Sequence, residues 1–343
     1  MWRVLIDELP DGRAIVARMR GTVLEDLLVD SKDDTPQIGA IYRGKVDRLV
    51  KGMGGAMLRL PDGQSAFLKE AKGMAQGDMV TVQITTHAEP GKAQAVTPRP
   101  LFKSRYAIVT PHAPGINIAR KIKDEAERDR LLELGHEGME GSDFGLILRS
   151  ASDGADSEAL AEDIFAMRDL AEAVMQDQAS EPSLLVEAPD AVLTAWRDWT
   201  EPSPERVEEG EGTFETADVW SAIAALETAR AQIGTEAWME IQPTRALTAV
   251  DVNTGGDFSP AATLKANLAA ARNLPRQLRL RGLGGVVTVD FAPLAKRDRS
   301  KIEGELRAAL KADGIDTVIA GWTPLGLLEL QRKRERRPLS ELL

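Results

Sequence analysis

Short apolar runs separated by glycines and polar turns characterise the first hundred residues. Residues 3–6 and 14–19 are strand-like, and the Asp-Gly pair between them is typical of a hairpin turn. From residue 38 to about residue 98 the runs are shorter, with a Pro-Asp-Gly turn at 61–63. This spacing predicts five strands and therefore a small OB-type barrel. The predicted strands are residues 41–50, 56–60, 65–68, 79–84 and 93–97.

The middle of the chain mixes strand and helix patterns. Residues 106–109 and 146–148 read as strands, and residues 125–134 and 157–177 read as helices. Apolar side chains recur every three or four residues in the longer helix, so we predict that one of its faces packs into a core. Residues 201–218 are acidic and rich in proline and glycine, which predicts a linker or flexible loop.

Two similar runs organise the last third of the chain. LTAVDVN (247–253) and VVTVDF (286–291) are apolar and β-branched, which favours buried strands. The helix formers of 259–281 lie between them and end at a glycine-rich stretch, so the two strands should be parallel and close together. We predict a mixed α+β and α/β protein of several subdomains. Its further helices are residues 219–233, 294–310 and 325–337, and its further strands are residues 237–241 and 317–320.

Each of these two runs carries an aspartate near its C-terminal end. Asp251 and Asp290 would lie at the carboxyl ends of the sheet, where ligands tend to bind, and Asn253 projects on the same side as Asp251. These oxygen ligands suit a hard cation, Mg²⁺ or Mn²⁺, which can polarise a phosphoryl oxygen and activate a bound water. The alternative is structural, because an aspartate followed by Gly255 and Gly256 also suits a turn.

Composition narrows the class of protein. A chain of 343 residues is long enough for two or three compact units, and without cysteine it has neither disulfides nor thiolate zinc sites. An acidic N-terminal stretch and apolar runs shorter than a bilayer predict a cytoplasmic protein without a membrane span. The net charge of −11, from 43 basic and 54 acidic residues, argues against a polyanionic partner. A local basic groove or a metal ion can nevertheless receive phosphate.

The predicted barrel carries side chains of the kind that grip single-stranded nucleic acids. The candidates are Tyr42, Arg43, Lys45, Phe67 and Lys92, which combine aromatic rings with positive charge. The alternative is that Phe67 belongs to the core and that the lysines are merely solvated.

Two further basic features have a functional and a structural interpretation. Arg149 and Ser150, at the end of a predicted strand, place a guanidinium beside a hydroxyl and could receive a terminal phosphate, or could be an ordinary surface pair. The basic run at 332–337 could contribute to an RNA path or be a solvated helix end.

Several segments together resemble the ribonuclease E/G family, the bacterial endoribonucleases of RNA turnover and ribosomal RNA maturation. The most specific are LTAVDVNTGGDF, NLAAARNLPRQLRLRGLGGVVTVDF and PLGLLELQRKR, and AIYRGKVDRLV, SAFLKE and LILRSA are similar as well. These segments follow the family's order over nearly the whole chain.

The resemblance implies a metal-dependent endonuclease that hydrolyses single-stranded RNA to 5′-phosphate and 3′-hydroxyl ends. Asp251 and Asp290 match the aspartates that hold Mg²⁺ in the family. Asn253 matches the asparagine that helps to orient the scissile phosphate.

The resemblance also implies RNA contacts outside the catalytic unit. Phe67 and Lys92 match RNA-gripping positions of the family's barrel. Arg149 and Ser150 match its 5′-monophosphate sensor, with serine in place of the usual threonine.

The family's architecture would divide the chain into known unit types. It implies a shortened, split ribonuclease-H-like unit (1–36 and 219–243), an S1-like RNA-binding barrel (37–99), a 5′-sensor-like α/β region (100–200), an acidic linker (201–218) and a deoxyribonuclease-I-like catalytic unit (244–343).

This sequence departs from the family's pattern at several positions, so not all of the family's properties are expected of this protein. The chain ends at Leu343 without any cysteine, so we expect no zinc, no zinc-linked dimer, and a monomer or weak oligomer. Met57 replaces a second barrel aromatic, and Pro324 replaces an RNA-contacting arginine. The sensor's first glycine-bearing turn also differs, which weakens the expectation of a strict dependence on a 5′-monophosphate.

Two other functional classes stay open. Missing dimer apparatus and altered contact residues are compatible with an RNA-binding protein that has little or no nuclease activity. A deoxyribonuclease-I-like unit is not by itself specific for RNA, so another phosphodiester could be the substrate.

Overall fold

A computed structural model of the protein describes residues 1–88 and 91–343. Within these ranges the chain forms twenty strands and eight α-helices. The strands are β1 (Trp2–Glu8), β2 (Ala14–Arg20), β3 (Val23–Val29), β4 (Ile41–Val50), β5 (Gly55–Arg59), β6 (Ser65–Leu68), β7 (Met79–Thr86), β8 (Gln94–Thr97), β9 (Phe102–Lys103), β10 (Ala107–Thr110), β11 (Ile116–Ile118), β12 (Gly145–Leu148), β13 (Ser183–Val186), β14 (Arg206–Glu209), β15 (Arg230–Gln232), β16 (Trp238–Pro243), β17 (Thr248–Asn253), β18 (Gly285–Asp290), β19 (Thr317–Trp322) and β20 (Leu328–Arg332). The helices are α1 (Glu125–Gly138), α2 (Ser157–Met175), α3 (Ala191–Asp198), α4 (Thr213–Thr216), α5 (Val219–Glu227), α6 (Pro260–Leu280), α7 (Arg299–Asp313) and α8 (Leu339–Leu342).

The chain divides into two compact units, and the predicted mixed α+β class is confirmed. The first unit combines Met1–Lys32 with Glu205–Leu343, and the second is Asp33–Pro204. Among the helices of the described ranges, none is both long enough and apolar enough to cross a membrane.

The second unit begins with the barrel. Its sheet contains five strands that are hydrogen-bonded neighbours in the order β4-β5-β6-β8-β7. Strand β7 also pairs with β4, so the five-stranded sheet is closed. Apolar side chains from alternate positions of these strands fill its interior. This closed sheet confirms the predicted small barrel. The strands could be predicted because glycines and turn residues delimit each of them clearly.

The rest of the second unit is a small α/β layer. A sheet of order β11-β12-β10-β9 packs against α1 and α2 in one core. The side chains of Asp124 and Asp156 cap the two helices by accepting hydrogen bonds from backbone N–H groups of their first turns. The predicted apolar stripe of α2 lies in this core.

The first unit contains two sheets. One has the order β14-β1-β2-β3, in which β1 and β2 form the predicted antiparallel hairpin. The other has the order β15-β16-β17-β18-β20-β19. Helix α6 connects β17 to β18, which are parallel neighbours as predicted, and α6 and α7 pack on one face of this sheet.

Local signals determine where α6 begins and ends. The Ser259 hydroxyl accepts a hydrogen bond from the Ala262 N–H at 3.2 Å, and Pro260 occupies the first turn. Gly282 follows the helix with φ of +66°, and a Cβ there would overlap the Arg337 carbonyl oxygen. Glycine is therefore required at this turn, which leads the chain into β18.

The prediction of a final helix at 325–337 is wrong. Leu328–Arg332 form β20, which inserts between β18 and β19 and is antiparallel to both. Burial alternates along β20, with the leucines and Arg332 inward. The residue types favour helix, but a period of two and pairing on both sides outweigh that propensity.

The flexible loop predicted at 201–218 is largely replaced by regular structure, although the division between the two compact units, at Pro204 and Glu205, lies within this segment. Arg206–Glu209 form β14, which pairs in parallel with β1. Phe214 in α4 is fully buried, and its backbone N–H donates to the Asp7 carboxylate at 2.8 Å. The acidic composition reflects an edge strand with charged side chains in solvent. The helix predicted at 219–233 ends at residue 227, and β15 follows it.

Candidate active site

The parallel pairing of β17 with β18 sets Asp251 directly opposite Asp290. Both side chains are exposed, and they lie on the face of the sheet turned away from α6 and α7, whose core residues occupy the alternate positions. Neighbouring strands are about 4.8 Å apart, so the two carboxylates are close enough to share one ligand. Their assignment as metal ligands stays a prediction.

Asn253 lies two residues beyond Asp251 on the same face. Its amide nitrogen donates a hydrogen bond to Asp251 Oδ2 at 2.8 Å. This bond restricts the rotation of the carboxylate and leaves the amide oxygen of Asn253 as a further acceptor. The three residues that the sequence analysis selected in this unit are therefore brought together.

The strand register adds residues that the sequence analysis missed. Glu240 on β16 lies opposite Asp251, and Arg230 on β15 lies opposite Glu240. Trp238 lies opposite Asn253, and the Arg230 guanidinium stacks 4.0 Å from the centre of its ring. Alternation along β16 could have indicated that Glu240 points outward, but only the pairing shows which residues it faces.

The donor set at this face fits a hard cation. The facing carboxylates and the amide of Asn253 offer oxygen ligands open to solvent, and Mg²⁺ or Mn²⁺ binds through one or two carboxylates while keeping waters or taking phosphate oxygens. In the part of the chain that the structure describes, no group of three or more His, Cys, Asp or Glu side chains is arranged to enclose a metal ion. The fit is thus to an open site rather than to an all-protein cage.

The loops at the same edge of the sheet carry exposed apolar side chains. Phe258, which follows β17, is 82% exposed, and Leu325, in the turn after β19, is 89% exposed. Strand β19 runs parallel to β18, because both are antiparallel to β20, so its turn lies at the edge that carries Asp290. Pro324 is exposed in this turn as well.

In the barrel, Phe67 lies outside the core. Its neighbours on β6, Ala66 and Leu68, point inward, and the Phe67 ring is half-buried on the outer face. A Cβ on Gly55 would come within 2.7 Å of this ring, so glycine there makes room for it. Met57 lies directly opposite Phe67 on β5. The structure therefore rejects the interpretation of Phe67 as a barrel-core residue.

Basic side chains accompany this outer face. Lys45 on β4 lies opposite Arg59 on β5, which the sequence analysis did not select. Lys45 is half-buried and Arg59 is exposed, while Lys92 is exposed just before β8. The outer face thus combines an aromatic ring with positive charge.

Two of the predicted RNA contacts in the barrel are structural instead. Tyr42 belongs to the barrel core. Arg43 is only 8% exposed, its Nε donates to the Glu181 carbonyl oxygen at 2.6 Å, and its guanidinium pairs with Asp177. Because β13 pairs with this part of β4, the Arg43 guanidinium is bound within the unit and not presented to RNA.

Arg149 and Ser150 lie at the end of β12, as predicted, but Arg149 is engaged by an acidic residue. Arg149 Nη2 donates to Asp198 Oδ1 at 2.7 Å. Lys121 and the Ser150 hydroxyl hold the pKa of the Glu201 carboxyl below its usual value. Burial raises the pKa of Asp198, but Arg197 and Arg149 outweigh it and hold that pKa below its usual value. Asp198 is therefore an anion at neutral pH.

The basic run near the C-terminus contributes to the fold of the first unit. Arg332 is 1% exposed and donates to Asp313 at 2.7 Å and to the Thr317 hydroxyl at 3.0 Å. Arg336 pairs with Asp26. The alternative that this run forms an RNA path is not supported for these two arginines.

Comparison with known proteins agrees with this geometry. The sequence profile of the ribonuclease E/G family matches residues 102–209 and 202–335. The chain belongs to the ribonuclease E/G family, and the resemblance predicted from the sequence is confirmed.

Individual relatives align with most of the chain. It is 28% identical to ribonuclease E of Nostoc sp., over 89% of this chain and 52% of that protein. It is 26% identical to ribonuclease G of Salmonella typhimurium and 25% identical to that of Escherichia coli, in each case over 96% of this chain and 79% of the relative. The chain thus spans about half the length of the ribonuclease E relative.

Proposed function

We propose that this protein is an endoribonuclease that uses a divalent cation to hydrolyse single-stranded RNA, leaving 5′-phosphate and 3′-hydroxyl ends. The observation that carries the proposal is the register of Asp251 and Asp290 across two parallel strands, in a chain of the ribonuclease E/G family. A turn or a helix cap needs a single carboxylate, whereas a pair facing each other on an open face suits a cation. The proposed setting is RNA processing or turnover, ribosomal RNA included, in the cytoplasm.

The residues of this face have distinct proposed roles. Asp251 and Asp290 hold Mg²⁺ or Mn²⁺. A bound cation would polarise the phosphoryl oxygen and lower the pKa of a bound water. Asn253 orients the Asp251 carboxylate through its hydrogen bond and helps to orient the scissile phosphate. Facing residues of four neighbouring strands form a row across the sheet, in the order Arg230, Glu240, Asp251 and Asp290. Arg230, at the end of this row, offers a guanidinium to an RNA phosphate.

The barrel is proposed to bind the RNA strand. The half-buried ring of Phe67 offers a surface on which a base can stack, and Lys45, Arg59 and Lys92 supply positive charge. This set differs from the one predicted from sequence because Arg43 is replaced by Arg59.

We also propose the family's unit types for this chain. Residues 1–36 and 219–243 would form the split ribonuclease-H-like part, and 244–343 the deoxyribonuclease-I-like part. The two segments of the split part, apart from residues 33–36, lie in one compact unit, which supports their association. Residues 37–99 would be the S1-like barrel, and 100–200 the 5′-sensor-like region.

The decisive experiment is cleavage of an end-labelled, AU-rich single-stranded RNA with and without Mg²⁺, using wild type and Asp290→Asn. We expect metal-dependent internal cutting by wild type and a loss of more than about 100-fold in the variant, because a ligand to the cation is removed. Asp316→Asn is the matched control. Asp316 is an exposed aspartate that precedes β19, at the opposite edge of the same sheet.

Each outcome has a clear meaning. Product ends that carry a 5′-phosphate, together with normal activity of the control, support the proposal. Full activity of Asp290→Asn removes the metal-site assignment. If wild type binds RNA tightly but does not cut it in any divalent metal, the proposed endoribonuclease function is wrong and the protein is an RNA-binding protein.

A further inference from the structure

The two most exposed large apolar side chains of the described residues lie at one edge of the six-stranded sheet. Phe258, in the loop after β17, is 82% exposed, and Leu325, in the turn between β19 and β20, is 89% exposed. Asp251 and Asp290 lie near the same edge, because β17, β18 and β19 all run in one direction. Single exposed apolar residues are ordinary, but two of them beside a candidate active site need an explanation.

The position of Phe258 has a common structural use that this protein does not make. Ser259 is the N-cap of α6, and an apolar residue directly before an N-cap often packs against the first turn of the helix. An exposure of 82% excludes such packing for the Phe258 ring. The Ser259 hydroxyl and Pro260 already define the start of α6. The fold therefore does not account for this aromatic ring.

The turn that carries Leu325 is likewise held by other residues. The Gly326 N–H donates to the Thr323 carbonyl oxygen at 3.0 Å, and the Leu327 N–H donates to the Thr323 hydroxyl at 3.1 Å. Gly326 has φ of +95°, which favours glycine. Exposed turns usually carry small or polar residues, so this backbone presents a leucine to solvent without a structural need for it.

Positive charge accompanies the two apolar side chains. Lys296 and Arg297 follow β18 in a third loop of this edge, and both are exposed. Positive charge beside an aromatic ring is typical of surfaces that bind single-stranded nucleic acids. A symmetric contact with a second copy of this chain would bring these like charges close together, whereas RNA phosphates neutralise them. The edge therefore suits RNA better than a second copy.

The two apolar side chains come from opposite sides of the carboxylate pair. Phe258 lies in the loop that follows β17, the strand of Asp251. The turn of Leu325 leads into β20, which pairs with the other side of β18, the strand of Asp290. A phosphate bound at the two aspartates would thus have an exposed apolar side chain on either side.

We propose that Phe258 and Leu325 hold the bases on the two sides of the scissile phosphate. The Phe258 ring stacks on one base, and the Leu325 side chain packs against a base beyond the carboxylate pair. This inference rests on the proposed endoribonuclease function. A base held in this way is not available for pairing with a second strand, so the two contacts select single-stranded RNA at the cut.

The test measures kcat/KM for a single-stranded RNA that is cut at one position. We expect Phe258→Ala to lower it by about tenfold and Leu325→Ala by about fivefold, because each variant loses a base contact. Phe258→Trp keeps an aromatic ring and should stay within about twofold of wild type. Val318→Ala is the matched control, since Val318 is 59% exposed on β19 near the opposite edge of the same sheet.

Abasic substrates separate a base contact from a structural role. Removing the base that stacks on Phe258 should slow wild type by about tenfold and should not slow Phe258→Ala any further. If Phe258 only supported the fold, the missing base would slow the variant as much as it slows wild type. That result, or full activity of both alanine variants, overturns the inference.

A binding measurement keeps this inference distinct from the proposed function. Fluorescence anisotropy with a 2′-O-methyl oligonucleotide reports on the base contacts even if the protein cuts nothing. We expect Phe258→Ala to bind about tenfold more weakly than wild type, at a matching unfolding midpoint. Equal affinities overturn the inference. So does a wild-type dimer in sedimentation velocity that Phe258→Ser and Leu325→Ser convert to monomer, because the edge then serves self-association.

Discussion

Asn253 is the residue through which the geometry of the candidate cation site can be altered without removing a carboxylate. Its amide donates to one oxygen of Asp251 at 2.8 Å, and both side chains project from the same face of β17. A carboxylate held in this way presents its other oxygen in a defined direction. Asn253 thus acts on the site through Asp251 as well as through any contact with RNA.

Replacing Asn253 with alanine should lower the cleavage rate by roughly 10- to 100-fold, the usual effect of losing a partner of a metal ligand. The Mg²⁺ concentration needed for half-maximal rate should rise too, because the Asp251 carboxylate is no longer oriented. A Mg²⁺ titration of the rate checks this, with Asn117→Ala on β11, an exposed asparagine, as control. If the Mg²⁺ concentration for half-maximal rate is unchanged in Asn253→Ala, Asn253 does not position the Asp251 carboxylate.

At the scale of elements, a buried ion pair holds β20 in the sheet. Arg332 on β20 donates to Asp313 at the end of α7, and Arg279 of α6 pairs with the same carboxylate. Leu328 and Leu330 pack into the core beside α7. These contacts explain why a segment with the composition of a helix adopts an extended conformation.

We expect Arg332→Ala to destabilise the first unit by about 3 kcal/mol, because it leaves a buried carboxylate without one of its partners. The neighbouring Lys333→Ala should change stability by less than about 1 kcal/mol, since Lys333 pairs with Glu335 near the surface. Urea unfolding of the two variants measures both. If the two variants lose the same free energy of unfolding, the buried Arg332–Asp313 pair stabilises the unit no more than the exposed Lys333–Glu335 pair does.

At the scale of the whole molecule, acid sensitivity should come from carboxylates that join distant segments. Asp26 of β3 pairs with Arg336 near the C-terminus and with Arg279 of α6. Burial by itself raises the pKa of Asp26, but the charges of Arg336 and Arg279 outweigh it, and the net pKa lies below the usual 3.8. Stabilisation from such a group is complete above the unfolded pKa and is lost as the pH falls through the folded one.

The unfolding midpoint should therefore be flat from neutral pH to about pH 5 and fall below about pH 4, where carboxyls begin to protonate. Asp26→Asn should lower stability at pH 7 and flatten the acid limb, because the variant no longer has this carboxylate to protonate. Thermal unfolding between pH 2.5 and 7 measures both effects. Asp316→Asn, at an exposed aspartate, should retain the wild-type profile.

The sequence by itself determined the elements with strong local boundaries. The five barrel strands, the hairpin of β1 and β2, and the β17-α6-β18 crossover follow from apolar period, turn residues and helix caps, which act over a few neighbouring positions. The same signals placed Asp251, Asn253 and Asp290 at strand ends.

Only the tertiary structure decided which side chains meet. Glu240 and Arg230 join the row of Asp251 through strand register, and Arg43 and Arg149 are engaged by carboxylates far away in sequence. The physical reason is that ion pairs and register depend on the packing of segments distant in the chain, on which local propensity and composition carry no information.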